Sequence, residues 1–267
     1  MNPVVLVGGD AVAAGWVPAL RSIAVEMRVG MLNTFAAKGL FEWNDPAHLG
    51  TIGLQERDLE LAGVAGSDVL LVGVPDHEVP GEWLDAVGAR CRAIDIDDLR
   101  AALVANAEPT PRPPLYGALA AVCGPMYAID TLPLNPARAA ADLAGWLPVD
   151  GAVQAWPDTA GFWLARTFPT RVLGSMRVAP RGLEGGLDRV PTLYVVAEHR
   201  PVGLPEGAVV EHWSADGPRL SPHERLARLA EAVDHGRGAW LELGVDLAAV
   251  EVLAGVAGAP RWPRPTF

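Results

Sequence analysis

Four short, almost uninterrupted apolar runs in the first hundred residues constrain this chain more than any other feature. They are "PVVLVGG" (3–9), "RVGMLNTF" (28–35), "DVLLVGV" (68–74) and "CRAIDID" (91–97). A strand with one wet face alternates apolar and polar side chains, so runs without alternation belong to strands buried on both faces of a parallel sheet. The stretches between them supply the covering helices. "AVAAGWVPALRSIAVEM" (11–27) sets Val12, Trp16, Leu20 and Ile23 at helical spacing despite Pro18, while "ERDLELAGVAGS" and "GEWLDAVGA" read as shorter helices. The predicted fold class is α/β with Rossmann-like parallel sheets, which bind ligands at the carboxyl ends of their strands.

"NAEPTPRPPLYG" (106–117) has four prolines and no periodic pattern, and it marks a Pro-rich linker assigned to residues 106–130 between units 1–105 and 131–267. Beyond it, Asn135 and Pro136 form an N-cap and first helical position for "ARAAADLAGWL". "GAVQAWPD", "PTLYVVAE" and "GAWLELGVD" read as strands, and Ser221-Pro222-His223-Glu224 is a capping box opening a helix with Leu226, Leu229 and Val233 on one face, stopped at Gly236. The second half is thus a smaller α/β unit.

With 267 residues, half of them hydrophobic, the chain can bury a substantial core. A net charge of −11 argues against nucleic acid and anionic membrane as partners. The amino terminus lacks the basic segment of a signal peptide and no apolar run reaches spanning length, so the expected location is cytoplasmic. Cys91 and Cys123 have no metal-like spacing, and histidines 48, 77, 199, 212, 223 and 235 show no helical ligand pairing; no metal site is predicted. Gly8, Gly9 and Gly15 follow a strand, but their G-G-x5-G spacing departs from the dinucleotide fingerprint, and no P-loop, G-x-S-x-G or H-E-x-x-H occurs.

The stretch "TFAAKGLFEWNDPAHLGTIG" (34–53) has neither period, and reads as an irregular loop too rich in large apolar groups to be disordered. It holds Lys38, the single lysine among twenty arginines. Taken with the Gly-Gly strand end before it and "DVLLVG" after it, the loop resembles the middle domain of thiamine-diphosphate-dependent enzymes of the acetolactate synthase type, over about residues 3–99. The resemblance implies a six-stranded α/β domain that in some relatives binds FAD or an ADP-type nucleotide. It places Gly8 and Gly9 against the nucleotide's middle, Thr34, Lys38 and Gly39 along the flavin side, Gly50, Thr51 and Gly53 in the segment after it, and Gly73 at the third strand's end. Asp95 and Asp97 match the acidic strand end that can hold a ribose. Where the family often carries "G-A-R-F-D-D-R", this chain has "GVPDHEV" (73–79): the phosphate-binding arginine is missing and Asp76 and Glu78 add negative charge.

"PLNPARAAADLAGWLPVDGAVQAWPDTAGFWLARTF" (133–168) resembles the entry to the same family's diphosphate-binding domain, in shortened form. The family's Gly-Asp-Gly is absent, the nearest string being Ala215-Asp216-Gly217, and no asparagine follows Asn135, so the oxygen cage for Mg²⁺ has no counterpart. The chain begins where the middle domain would, and the glutamate that activates the thiamine ring belongs to a domain before it. The resemblance therefore implies a catalytically silent relative with no catalytic residue of its own, acting as an accessory subunit or ligand-binding module with a protein partner or as a homo-oligomer. Trp156, Phe162 and Trp163 are candidates for the partner surface. Alternatives are one chain of a split thiamine-diphosphate carboligase or decarboxylase, and a nucleotide- or acyl-CoA-binding protein or an enzyme of different chemistry.

Overall fold

The computed structural model describes residues 2–178, 192–198 and 204–261; His199 lies outside them. Two five-stranded parallel sheets make two units. The first contains β1 (Val4–Val7), α1 (Gly9–Ala13), α2 (Val17–Met27), β2 (Met31–Thr34), β3 (His48–Ile52), α3 (Asp58–Leu61), β4 (Asp68–Val72), α4 (Gly81–Ala86), β5 (Arg90–Ala93) and α5 (Ile96–Ala102). Its strand order is β3-β2-β1-β4-β5. β1 is central, with Val5, Leu6 and Val7 wholly buried because both faces are covered.

Three details depart from the sequence reading. The first sheet has five strands among the described residues, not six. The single helix expected over 11–27 is two, because Pro18 lacks an N–H and is accommodated only in the first turn of a new helix, α2. The stretch 34–53 is only half loop: a 3-10 turn at Phe35–Ala37 is followed by irregular chain and then by β3, which pairs with β2 through a register shift between Met31 and Leu32. The strand escapes a sequence reading because Gly50, at φ +137°, interrupts its apolar run.

Residues 106–113 are irregular, and α6 (Pro114–Met126) then forms within the Pro-rich stretch, with Pro114 in its first turn. The second unit contains α7 (Pro136–Trp146), β6 (Val153–Ala155), α8 (Thr159–Thr167), β7 (Met176–Val178), β8 (Leu193–Val196), β9 (Val209–Ser214), α9 (Pro222–His235), β10 (Ala239–Gly244) and α10 (Val250–Ala257). Its order is β10-β9-β8-β6-β7. The expected caps are present: Asn135 Oδ1 accepts from Ala137 N at 2.9 Å, and Ser221 and Glu224 form the capping box. Phe162 and Trp163 lie in the core with α7, α9 and the sheet, which removes them as partner-surface candidates; Trp156 packs beside Tyr194.

A broad seam joins the units. Leu54 of the first belongs to the core of the second, and Leu173 and Ala257 of the second pack into clusters of the first. α10 and the chain after it meet the first unit, where Gln55 Nε2 donates to Leu253 O and Gly258 O, both at 2.8 Å, and Arg261 N donates to Leu54 O at 2.9 Å. α6 lies alongside α10 and β3.

Candidate functional site

In a doubly wound sheet the ligand crevice opens where the chain reverses its direction of strand addition. In the first unit that point lies between β1 and β4. Gly8 N donates to Val72 O and Asp10 N to Gly73 O, both at 3.0 Å, so the two strand-end turns are stitched together. A Cβ on Gly8 would stand 2.4 Å from Gly73 O, and one on Gly73 (φ +56°) 2.2 Å from Ala11 N. These glycines are required for turn-on-turn packing.

Glu78 lies across this crevice. One carboxylate accepts from Gly9 N, at 3.2 Å through Oε1 and 3.1 Å through Oε2, and also from the Thr34 hydroxyl. Burial pushes its pKa above the ordinary glutamate value, against the opposing pull of the hydrogen bonds from Thr34 and Gly9. Gly53 (φ +86°) places its would-be Cβ 3.2 Å from Glu78 O, where the loop closes behind it. Gly8, Gly9, Thr34, Gly53 and Gly73 are therefore brought together, around a carboxylate of the same chain.

The other predicted residues divide between the seam and the far edge. Lys38 is buried, and its Nζ donates to Ala165 O in α8 at 2.6 Å. Desolvation, reinforced by the Arg166 charge, lowers its pKa to about 7. Gly39 (φ +95°) is pressed against the second unit: a Cβ would come within 2.8 Å of Leu173 Cα. Thr51 accepts from Asn33 Nδ2 through Oγ1 at 3.1 Å and from Arg166 Nη1 through its carbonyl at 3.1 Å. Gly50 faces Leu115 of α6. Asp95 is the N-cap of α5, accepting from Asp97 N at 3.1 Å, and Asp97 sits exposed in the first turn. That edge role was readable as a helix start.

The seam's main polar device has no sequence signal. Arg166 Nη2 lies 2.8 Å from both carboxylate oxygens of Asp58, each side chain 1% exposed. Asp58 Oδ2 also accepts from Leu54 N at 2.8 Å and Gln55 N at 3.0 Å. Cys123 is buried nearby, its thiol pushed up to about 11 by burial, and burial lowers His48 to about 4. The separation of 108 positions from Asp58 to Arg166 is the reason the pair could not be anticipated.

In the second unit the reversal lies between β6 and β8. Asp158, the N-cap of α8, accepts from Gly161 N at 3.0 Å and Ala197 N at 2.7 Å. Glu198 accepts from Thr159 N at 2.9 Å and from the Thr159 hydroxyl. Deeper in the unit, Glu211 is held by Arg225 Nε and Nη2, both at 2.7 Å, and by Trp213 Nε1 at 2.8 Å. Each of these carboxylates already has internal donors, and no group of three or more His, Cys, Asp or Glu suited to a metal occurs among the described residues. Among the described residues no oxygen cage for a magnesium diphosphate is seen, and in the first crevice Glu78 engages the Gly9 N–H and the Thr34 hydroxyl. No helix among the described residues is long and apolar enough to cross a membrane.

The fold and its two reversal points define a tandem of doubly wound α/β units. Residues 1–122 match the family model described as thiamine pyrophosphate enzyme, central domain. The chain is also similar to an X-ray structure described as "a putative thiamin diphosphate-dependent enzyme" from Mycobacterium smegmatis: TM-score 0.60 and 14% identity, covering 91% of this chain and 61% of that one. This chain therefore spans about six-tenths of that structure, and at such identity the likeness is one of fold. No curated protein matches the sequence. The family model thus speaks for the first unit and the start of α6, less than half of the chain.

Proposed function

We propose that the chain is an accessory relative of the acetolactate-synthase type of thiamine-diphosphate enzyme, silent by itself and working in complex with a protein partner. One observation carries the reading. Lys38, Gly39 and Thr51, which the resemblance turns toward a cofactor, instead fasten the first unit to α8 and the turn after it, with Lys38 on Ala165 O and Thr51 O on Arg166. A buried ammonium and a guanidinium engaged by internal acceptors do not also neutralise a ligand's phosphates. The residues of a binding surface have become the adhesive of a scaffold, and a scaffold of this fold is suited to holding another chain of the same class.

The test is calorimetric titration of thiamine diphosphate with Mg²⁺ into the chain alone, and into the chain mixed with a candidate partner that supplies the thiazolium-activating glutamate. The expected result is no saturable heat alone and complex formation, by gel filtration, with the partner. Micromolar binding of the metal–cofactor pair by the isolated chain would overturn the proposal.

A further inference from the structure

Both units place a glutamate beside the reversal point, half-buried in the first and exposed in the second. In each, a glutamate from the turn after the strand beyond the reversal (Glu78 after β4, Glu198 after β8) reaches the chain leaving the unit's first strand. It accepts one backbone N–H there and one threonine hydroxyl: Gly9 N and Thr34 for Glu78, Thr159 N and its own hydroxyl for Glu198. A phosphate at such a place would need the same two kinds of donor, an amide N–H and a hydroxyl. Shape agrees with chemistry in the first unit, where a Cβ on Gly9 would lie 2.5 Å from Glu78 Oε1, so the carboxylate fills the space beside the glycine.

We propose that Glu78 is an internal latch occupying the first unit's crevice in the manner of a ligand's phosphate, so that this unit binds no phosphate-bearing nucleotide. The negative charge offered to an incoming diphosphate is the barrier. Glu78 stands with Asp10 and His77 around it, and the arginine expected from the family pattern is missing from 73–79. A carboxylate fixed on the crevice's own donors both uses them and repels a competing anion. The inference is separate from the accessory reading, since a latched crevice is compatible with any partner or with none.

The experiment uses the full chain. Calorimetric titration of ADP and of FAD into the native protein is expected to give no saturable heat. Glu78→Ala removes the latch and is expected to lower Tm by roughly 3–10 °C, and sodium formate at tens of millimolar restores part of that loss while leaving the native protein unmoved at equal ionic strength. Glu78→Gln preserves the shape but not the charge, and keeps the test open if the alanine variant fails to fold: it is expected to fold with a lowered Tm. Saturable micromolar binding of either nucleotide by the native chain overturns the proposal. So does an unchanged Tm in the glutamine variant, or a formate response equal in native and alanine-substituted protein. Loss of partner binding with none of these results would sink the accessory reading and leave the latch intact.

Discussion

Asp58 and Arg166 show how strongly one buried pair can tie two units together. The carboxylate takes two backbone N–H groups and the guanidinium, while Arg166 Nη1 reaches Thr51 O, so one side chain of the second unit is held by a carboxylate and a carbonyl of the first. Removing one member leaves the other charged and out of water: Arg166→Met is expected to cost about 3–5 kcal/mol in urea unfolding, and Asp58→Asn combined with it should recover part of the loss. Lys38 and His48 give pH signatures. Lys38 has its pKa lowered from 10.5 to about 7, so between those values the unfolded chain binds the extra proton and stability rises with pH; below about 7 the penalty is complete. Unfolding midpoints at pH 7 and 8.5 are expected to show this rise, and Lys38→Met to flatten it. That window stays below the Cys123 thiol, pushed up to about 11. His48 is lowered from 6.5 to about 4, so stability falls as pH drops through that interval, and His48→Gln should remove that part of the fall.

Elements here are set by local chemistry at their ends and by tertiary contacts in their middles. α9 starts at Ser221 because its hydroxyl and the Glu224 carboxylate satisfy end N–H groups reciprocally, and it stops at Gly236 in the left-handed region. Ser221→Ala is expected to cost about 1 kcal/mol by chemical denaturation. β3 is the opposite case. Its five residues include a glycine at φ +137°, and it pairs at an irregular register with β2 beneath α6; its own sequence carries little strand preference. The β1 and β4 turns depend on glycine for a steric reason, so Gly73→Ala, which combines a positive φ with a 2.2 Å approach to Ala11 N, is expected to lose more than about 3 kcal/mol or fail to fold, as read by circular dichroism and Tm.

At the scale of the molecule, the seam makes two sheets into one cooperative body. Leu54 enters the second unit's core, Ala257 the first's, and Gln55 holds α10 and the residue after it through two carbonyls. Calorimetric melting is expected to show a single transition; two resolved peaks would mean that the units hold themselves up independently. What the sequence by itself determined is local in origin. Unalternating apolar runs required buried strands at β1, β2 and β4, though not at β5, whose four residues are all exposed; Asn135 and Ser221 opened helices, and the Gly-Gly turn and the 34–53 pattern placed the first unit beside the thiamine pyrophosphate enzyme central domain. Only the tertiary structure decided what occupies the crevice and where the single lysine points. Hydrogen bonds such as Gly9 to Glu78 and Lys38 to Ala165 join residues 69 and 127 positions apart, and a sequence records which groups can donate and accept but not which of them the packing will bring within hydrogen-bonding distance.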